Sequence, residues 1–146
     1  MLRLSQSSKD PDALVLLVED DPNQVIFIER AFRQVGLPNP LRVVRNGEQA
    51  VSYLSDRTNP VPALILLDLK VPRIRGLKVL EWIRSQPDLK EIPTVVVTSS
   101  IETDDRRRAD ELGVVAYLCK PVFAEGLLEL MDLVPWLQPV ERRRFP

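Results

Sequence analysis

The chain contains no histidine and only one cysteine among its 146 residues. The lack of histidine excludes a histidine-dependent catalytic triad, a histidine-ligated metal site and a role as a phosphohistidine carrier. With a single cysteine, an internal disulfide and a structural zinc site are excluded as well. Because Cys119 lies within an apolar run, we expect it to be a small buried hydrophobic residue rather than a nucleophile. The chemistry of the chain must therefore come from carboxylates, hydroxyls, lysine and a hard cation.

Long hydrophobic segments and a strong net charge are also absent. No apolar run is long enough to cross a bilayer, and residues 1–12 lack the apolar core of a signal peptide, so we expect a cytoplasmic protein. The net charge of −1 gives no general reason to bind nucleic acid or a membrane surface. The length suits a single domain. We predict a flexible N-terminus over residues 1–12, the domain over 13–134 and a C-terminal extension over 135–146.

Five short apolar runs are separated by longer stretches with helical spacing. We predict β-strands at these runs, over residues 13–19, 41–45, 63–69, 93–98 and 114–119. Three of the runs are almost uninterruptedly apolar, as expected for central strands of a parallel sheet that is covered on both faces. The second run is shorter and more mixed, which suits an edge strand.

The stretches between the strands have the pattern of amphipathic helices. After Pro22, one stripe of apolar residues extends to Val35, and Gly36 is a suitable helix stop. Further helices are predicted over residues 47–55, 76–85, 103–113 and 123–133. Strands that alternate with helices imply right-handed crossovers. The sequence therefore predicts an α/β fold, with a doubly wound five-stranded parallel sheet and helices on both faces.

Reactive side chains stand at the ends of four predicted strands. Glu19 and Asp20 end the first, Asp68 ends the third, Thr98 ends the fourth and Lys120 follows the fifth. Ligands of open α/β sheets bind beyond the carboxyl ends of the strands. Crowded carboxylates repel each other unless a cation compensates them, and Mg²⁺ combines one or two carboxylates with water and phosphate oxygens. A carboxylate in such a site can attack phosphorus and form an acyl phosphate.

Several of these residues have a simpler interpretation when each is taken alone. Asp68 could cap the turn after its strand, and Thr98 could be an ordinary strand-end hydroxyl. Asp21 stands before a proline, where a helix-start acid is common, and we leave it outside the metal set. The arginines at 106–108 are most often a solvated helix face and are not convincing for DNA binding. The ordered set as a whole favours one phosphoryl-accepting site.

Four segments, LVEDDP, LILLDLKVPRIRG, VVVTSS and AYLCKP, resemble in this order the receiver domain of two-component response regulators. The resemblance covers residues 13–134. It implies a flavodoxin-like fold with strand order 2-1-3-4-5. Within the family, VRNGEQAVSYL, EIPTVVVTSS and the loop after Asp68 are most similar to small regulators paired with bacterial phytochrome-type sensor kinases.

The resemblance implies a catalytic set and a metal set. Asp68 is the expected phosphoacceptor, Lys120 is expected to pair with the phosphoryl group, and Thr98 to bind a phosphoryl oxygen. Mg²⁺ or Mn²⁺ is expected on Asp20 and Asp68 directly, on Glu19 through water, and on the backbone carbonyl of Lys70.

The resemblance also implies residues that report and time the signal. Tyr117 is expected to change its rotamer when Thr98 moves toward the phosphoryl group. Lys70 and Ser100, two residues after Asp68 and Thr98, are expected to tune how readily water attacks the acyl phosphate. The peptide bond before Pro121 is expected to be cis.

The resemblance thus implies a stand-alone response regulator rather than a dedicated enzyme. It would accept a phosphoryl group from a sensor histidine kinase, possess slow autodephosphorylation and switch a protein-interaction surface. An aspartyl-phosphate hydrolase is disfavoured, because Lys70 stands where such enzymes need a second acid. The remaining alternative is a pseudo-receiver, which binds proteins without being phosphorylated. The downstream protein or phosphotransfer partner is not indicated.

The last predicted helix indicates a further partner. Its inward stripe is expected to contain Phe123, Leu127, Val134 and either Leu130 or Met131. Two further leucines, Leu128 and Leu133, lie off this stripe. A helix with apolar residues beyond one face can hide the second group in a partner, so we expect a homodimer through this helix.

Overall fold

The computed structural model describes residues 13–99 and 103–139. Its five strands are β1 Val15–Val18, β2 Leu41–Val44, β3 Leu64–Leu67, β4 Thr94–Thr98 and β5 Ala116–Cys119. They form one parallel sheet in the order β2-β1-β3-β4-β5. The predicted fold class and strand order are therefore confirmed. The predicted flexible N-terminus, Ser100 and residues 140–146 lie outside the described residues.

Helices connect successive strands, as predicted. Within the described residues they are α1 Pro22–Gln34, α2 Gly47–Ser55, α3 Gly76–Ser85, α4 Thr103–Glu111 and α5 Ala124–Leu133. The Asp21 carboxylate caps α1 by accepting a hydrogen bond from Asn23 N at 2.9 Å, which confirms it as a helix-start acid. Gly36 follows the end of α1 with a φ of +78°, a conformation that favours glycine. None of these helices is long and apolar enough to span a bilayer.

The core consists of two apolar layers on opposite faces of the sheet. Val15 and Leu17 of β1 face one layer, which α1 and α5 cover. Leu16 and Val18 face the other layer, which α2, α3 and Ala109 of α4 cover. Side chains alternate across a strand, so a β1 buried on both faces must be apolar throughout. The two helical layers hold the carboxyl ends of the strands in a fixed register.

The strands at the two edges are less buried than the central three. β2 is partly exposed, as its mixed sequence predicted. β5 forms the other edge, where Leu118 is buried and Cys119 is exposed. The prediction that Cys119 is buried was wrong, because an edge strand buries only alternate residues against its covering helix.

The last helix packs largely as predicted. Leu127, Leu130, Met131 and Val134 are buried in the layer shared with α1. Phe123, however, is 55% exposed, and its predicted inward position was wrong. It precedes the first helical turn as the N-cap residue, and its ring forms a T-shaped pair with that of Phe27 at a centroid distance of 6.2 Å.

The core continues past the predicted end of the domain. Leu137 is fully buried in the layer formed by α1 and α5, and Trp136 packs against the same layer. The backbone N–H of Leu137 donates to the carbonyl of Val134 at 2.9 Å, which turns the chain back toward the core. The first residues of the predicted extension are therefore part of the packed domain.

Candidate phosphoryl-accepting site

The carboxyl ends of β1, β3, β4 and β5 bring the predicted site residues to one edge of the sheet. Val18 pairs with Leu67, so the acids that follow these two residues are adjacent. Asp68 N donates to the carbonyl of Val18 at 3.1 Å. On the other side, Lys120 N donates to the carbonyl of Thr98 at 3.0 Å. The register of the sheet, rather than any local motif, assembles the site.

Lys120 joins two carboxylates at the centre of the site. Its Nζ lies 2.8 Å from Asp68 Oδ2 and 2.7 Å from Glu19 Oε1. Glu19 is fully buried and Asp68 nearly so. The peptide bond between Lys120 and Pro121 is cis, as predicted. The lysine is therefore placed to neutralise negative charge at Asp68.

Burial and ion pairing act on these groups in opposite directions. Burial raises the pKa of Glu19, although the hydrogen bonds from Lys120 and from the backbone N–H of Asp21 partly offset this effect. Burial alone would lower the pKa of Lys120, but its hydrogen bonds to Asp68 and Glu19 outweigh it, so the pKa is raised. These contacts favour the protonated ammonium form of Lys120.

The acids of this site fit a divalent cation. One carboxylate oxygen each from Glu19, Asp20 and Asp68 lies within 4.8 Å of the others. Lys120 pairs with only two of these three carboxylates, and hard oxygen ligands of this kind suit Mg²⁺ or Mn²⁺. Both oxygens of Glu19 have partners, since Oε2 accepts from Asp21 N at 3.1 Å and Oε1 pairs with Lys120. Asp20 is exposed, whereas Glu19 and Asp68 are buried, so its carboxylate is the most accessible of the three.

The remaining predicted residues have different surroundings. Lys70 N donates to Asp68 Oδ1 at 2.9 Å, and Lys70 as a whole is exposed. Thr98 is buried at the end of β4. Tyr117 is half-buried and lies against α4, where its hydroxyl donates to the Asp110 carboxylate and the Arg106 guanidinium covers its ring at 4.1 Å.

Two features of the site did not follow from the sequence. The ion pair between Lys120 and Glu19 was missed, because the sequence places both residues at strand ends without fixing their side chains. The loop over residues 69–75 also contacts the start of α2, where Gly47 N donates to the carbonyl of Pro72 at 3.2 Å, and this contact was missed as well. Its only signal in the sequence is a glycine, Gly47, at the start of a predicted helix, where the missing side chain leaves room for another segment.

A sequence profile of the response regulator receiver domain matches residues 15–132. The chain belongs to this family. The receiver is 36% identical over 135 residues to the probable methanogenesis regulatory protein FilR2 of Methanothrix harundinacea, covering 89% of this chain and 86% of the relative. It is 34% identical over 137 residues to response regulator Rcp1 of Synechocystis sp., covering 90% and 93%.

Solved structures of receivers agree with the fold. The bacteriophytochrome response regulator RtBRR has a TM-score of 0.75 and 40% identity, covering 84% of this receiver and 77% of that chain. The Mn(2+)-bound form of response regulator Rcp1 has a TM-score of 0.71 and 34% identity, covering 88% and 96%. The phosphorylated cyanobacterial phytochrome response regulator RcpA has a TM-score of 0.66 and 35% identity, covering 84% and 88%.

Proposed function

We propose that this receiver accepts a phosphoryl group on the carboxylate of Asp68 from the phosphohistidine of a sensor histidine kinase. The observation that carries the proposal is the position of Asp68. Its carboxylate is nearly buried, pairs with Lys120 Nζ at 2.8 Å and lies beside two further acids. A carboxylate that only capped a turn would not need this lysine and these acids around it.

The residues around Asp68 suit an in-line transfer. One Asp68 oxygen would form a bond to phosphorus while the phosphorus–nitrogen bond of the donor breaks, and the electron pair would stay on the donor's imidazole nitrogen. Lys120 would exchange its contact with Asp68 Oδ2 for one with a phosphoryl oxygen. A divalent cation held by Asp20, Asp68 and the Lys70 carbonyl, with Glu19 acting through water, would neutralise charge on the phosphoryl oxygens.

The proposed reaction makes this receiver a phosphoacceptor rather than a dedicated enzyme. An aspartyl-phosphate hydrolase would need a second acid two residues after the nucleophile, and that position is Lys70. In this proposal Lys70 and Ser100 tune the slow loss of the phosphoryl group to water.

The proposed donor is a phytochrome-type sensor kinase, which the receiver would meet in the cytoplasm. The similarity to RtBRR and to RcpA, both named as phytochrome response regulators, supports this class of donor. Phosphorylation would then reposition Thr98 and Tyr117 and change the surface formed by α4 and β5, which a downstream protein would recognise.

A homodimer through α5 is part of the same proposal. Leu128 is 49% exposed and Leu133 is 56% exposed, and both lie outside the buried stripe of α5. Two large apolar side chains on one exposed helix are an unfavourable surface for a monomer, and a second copy would cover them.

The proposed acceptor is tested with the small donor acetyl phosphate. We expect the intact mass to increase by one phosphoryl group when Mg²⁺ is present, and no increase without Mg²⁺ or in Asp68→Asn, which removes the nucleophile. Asp104→Asn is a matched control, since Asp104 is an exposed acid of α4 outside the site. It should gain the phosphoryl group as the unsubstituted protein does.

A failure to gain mass would favour the alternative, a pseudo-receiver that binds proteins without phosphorylation. Slow reaction with acetyl phosphate is separated from this outcome by beryllofluoride, which mimics the phosphoryl group. A protein that neither gains mass nor binds beryllofluoride with Mg²⁺ is not a phosphoacceptor.

A further inference from the structure

The loop over residues 69–75 follows Asp68 and carries Lys70, so its position decides where the Lys70 carbonyl lies. One end of the loop is fixed by Gly76. The backbone N–H of Gly76 donates to the carbonyl of Leu69 at 3.1 Å. A Cβ atom on Gly76 would lie 2.5 Å from Leu69 Cα and 3.0 Å from the carbonyl carbon of Asp68, so only glycine allows this close return of the chain.

The middle of the loop is fixed by a second glycine, Gly47, at the start of α2. The backbone N–H of Gly47 donates to the carbonyl of Pro72 at 3.2 Å. A Cβ atom on Gly47 would overlap the carbonyl oxygen of Ile74, and it would lie 2.6 Å from the carbonyl carbon and 2.8 Å from the Cβ of that residue. The obstructing atoms are mostly backbone, so no change of rotamer could relieve the collision.

The loop is held in a conformation that it would not adopt alone. Arg73 has a φ of +70°, the only positive φ of a non-glycine residue within ranges 13–99 and 103–139. Side chains disfavour this region, and such residues persist only where the surroundings impose them. The ion pair of Arg73 with Glu48, at 3.2 Å, is exposed on both sides and therefore weak. The packing of the loop on Gly47 is the stronger constraint.

We propose that Gly47 is a positioning residue for the phosphoacceptor site. Its missing side chain lets the loop approach α2, and this contact sets the direction of the Lys70 carbonyl and of the Lys70 N–H that donates to Asp68. The inference rests on the proposed function, in which the Lys70 carbonyl is a ligand of the divalent cation. A residue that orients a metal ligand affects the affinity for the metal, even though it does not contact the ion.

The test is the affinity for Mg²⁺ alone, measured by isothermal titration calorimetry without any phosphoryl donor. We expect Gly47→Ala to bind Mg²⁺ at least about tenfold more weakly, because the loop must move away from α2. Gly126→Ala is the matched control. Gly126 lies in α5, where a Cβ atom would meet only Leu118 Cδ2, at an ordinary 3.5 Å. Its Mg²⁺ affinity should equal that of the unsubstituted protein.

If Gly47→Ala does not fold, a second pair of variants tests whether the conformation of the loop sets the affinity for Mg²⁺. Arg73→Gly and Arg73→Val both remove the exposed ion pair with Glu48. They differ in their tolerance of a φ of +70°, which glycine accepts and a β-branched residue opposes. We expect Arg73→Gly to bind Mg²⁺ as the unsubstituted protein does and Arg73→Val to bind it at least about tenfold more weakly.

Each outcome has one meaning. A folded Gly47→Ala protein with undiminished Mg²⁺ affinity would overturn the inference, and so would equal affinities of the two Arg73 variants where Gly47→Ala does not fold. Absence of Mg²⁺ binding by the unsubstituted protein would instead overturn the proposed metal site on which the inference rests.

Discussion

Lys120 contacts two carboxylates in a place where burial disfavours every charged group. Its ammonium is shared between Asp68 and Glu19, at 2.8 and 2.7 Å. A buried charge is tolerated only with such partners, and removing one partner leaves the other uncompensated. Glu19 is therefore more than one acid of the cluster. It pairs with Lys120 and, together with Asp68, raises the pKa of that lysine.

Tyr117 is a second residue whose state depends on its neighbours. Burial, followed by the hydrogen bond to Asp110 and the charge of that carboxylate, raises the pKa of Tyr117 to about 12, while the Arg106 cation acts in the opposite direction. The folded protein thus binds this proton more tightly than the unfolded chain. The stability contributed by neutral Tyr117 is lost as the pH rises from about 10 through about 12.

We predict that Asp110→Asn lowers the pKa of Tyr117 toward its ordinary value, because the carboxylate charge is removed while burial remains. The measurement is an ultraviolet titration of tyrosinate in a Tyr53→Phe background, since the chain has only two tyrosines. Asp104→Asn, on the same helix, should leave the titration unchanged. A Tyr117 pKa that stays the same in Asp110→Asn would show that the carboxylate does not control this hydroxyl.

Among the strands and helices, burial was predicted correctly from the sequence where the apolar pattern matches the sides that pack against other elements. β1 and β3 are uninterrupted apolar runs and lie between two helical layers. At the edges the same reasoning failed, because an apolar run on β5 does not show that Cys119 faces outward. The predicted inward position of Phe123 was wrong for a similar reason, since helical spacing cannot show that a residue precedes the first turn.

Among the described helices, α5 carries two large apolar residues that are exposed, Leu128 and Leu133. We predict that Leu128→Glu dissociates the proposed homodimer, because like charges facing each other across an interface cost several kcal/mol. Light scattering at concentrations well above micromolar gives the mass. Ile26→Glu, a change of another exposed apolar residue on α1, should remain dimeric. A monomer in the unsubstituted protein at these concentrations would rule out the dimer.

For the molecule as a whole, the site could be predicted in outline because parallel strands deliver their carboxyl ends to one edge. The strand order and register alone bring together the strand ends that carry the three acids and the lysine of the site. The support of the site could not be predicted, because Gly47 and Ile74 belong to segments that meet only in the folded chain. The glycine at position 47 indicates a close approach, but composition and spacing do not show which segment approaches it.

The charges of the acidic site also bear on the stability of the whole domain. Glu19, Asp20 and Asp68 repel one another, and Lys120 compensates only part of their charge. We predict that Asp20→Asn makes the metal-free protein modestly more resistant to urea, because one repelling charge is removed from the folded state.

Mg²⁺ at 100 times its Kd should stabilise the unsubstituted protein by about 2.7 kcal/mol. It should stabilise Asp20→Asn much less, because a ligand has been lost, whereas Asp104→Asn should respond to Mg²⁺ normally. Equal stabilisation of Asp20→Asn by Mg²⁺ would show that Asp20 is not a metal ligand.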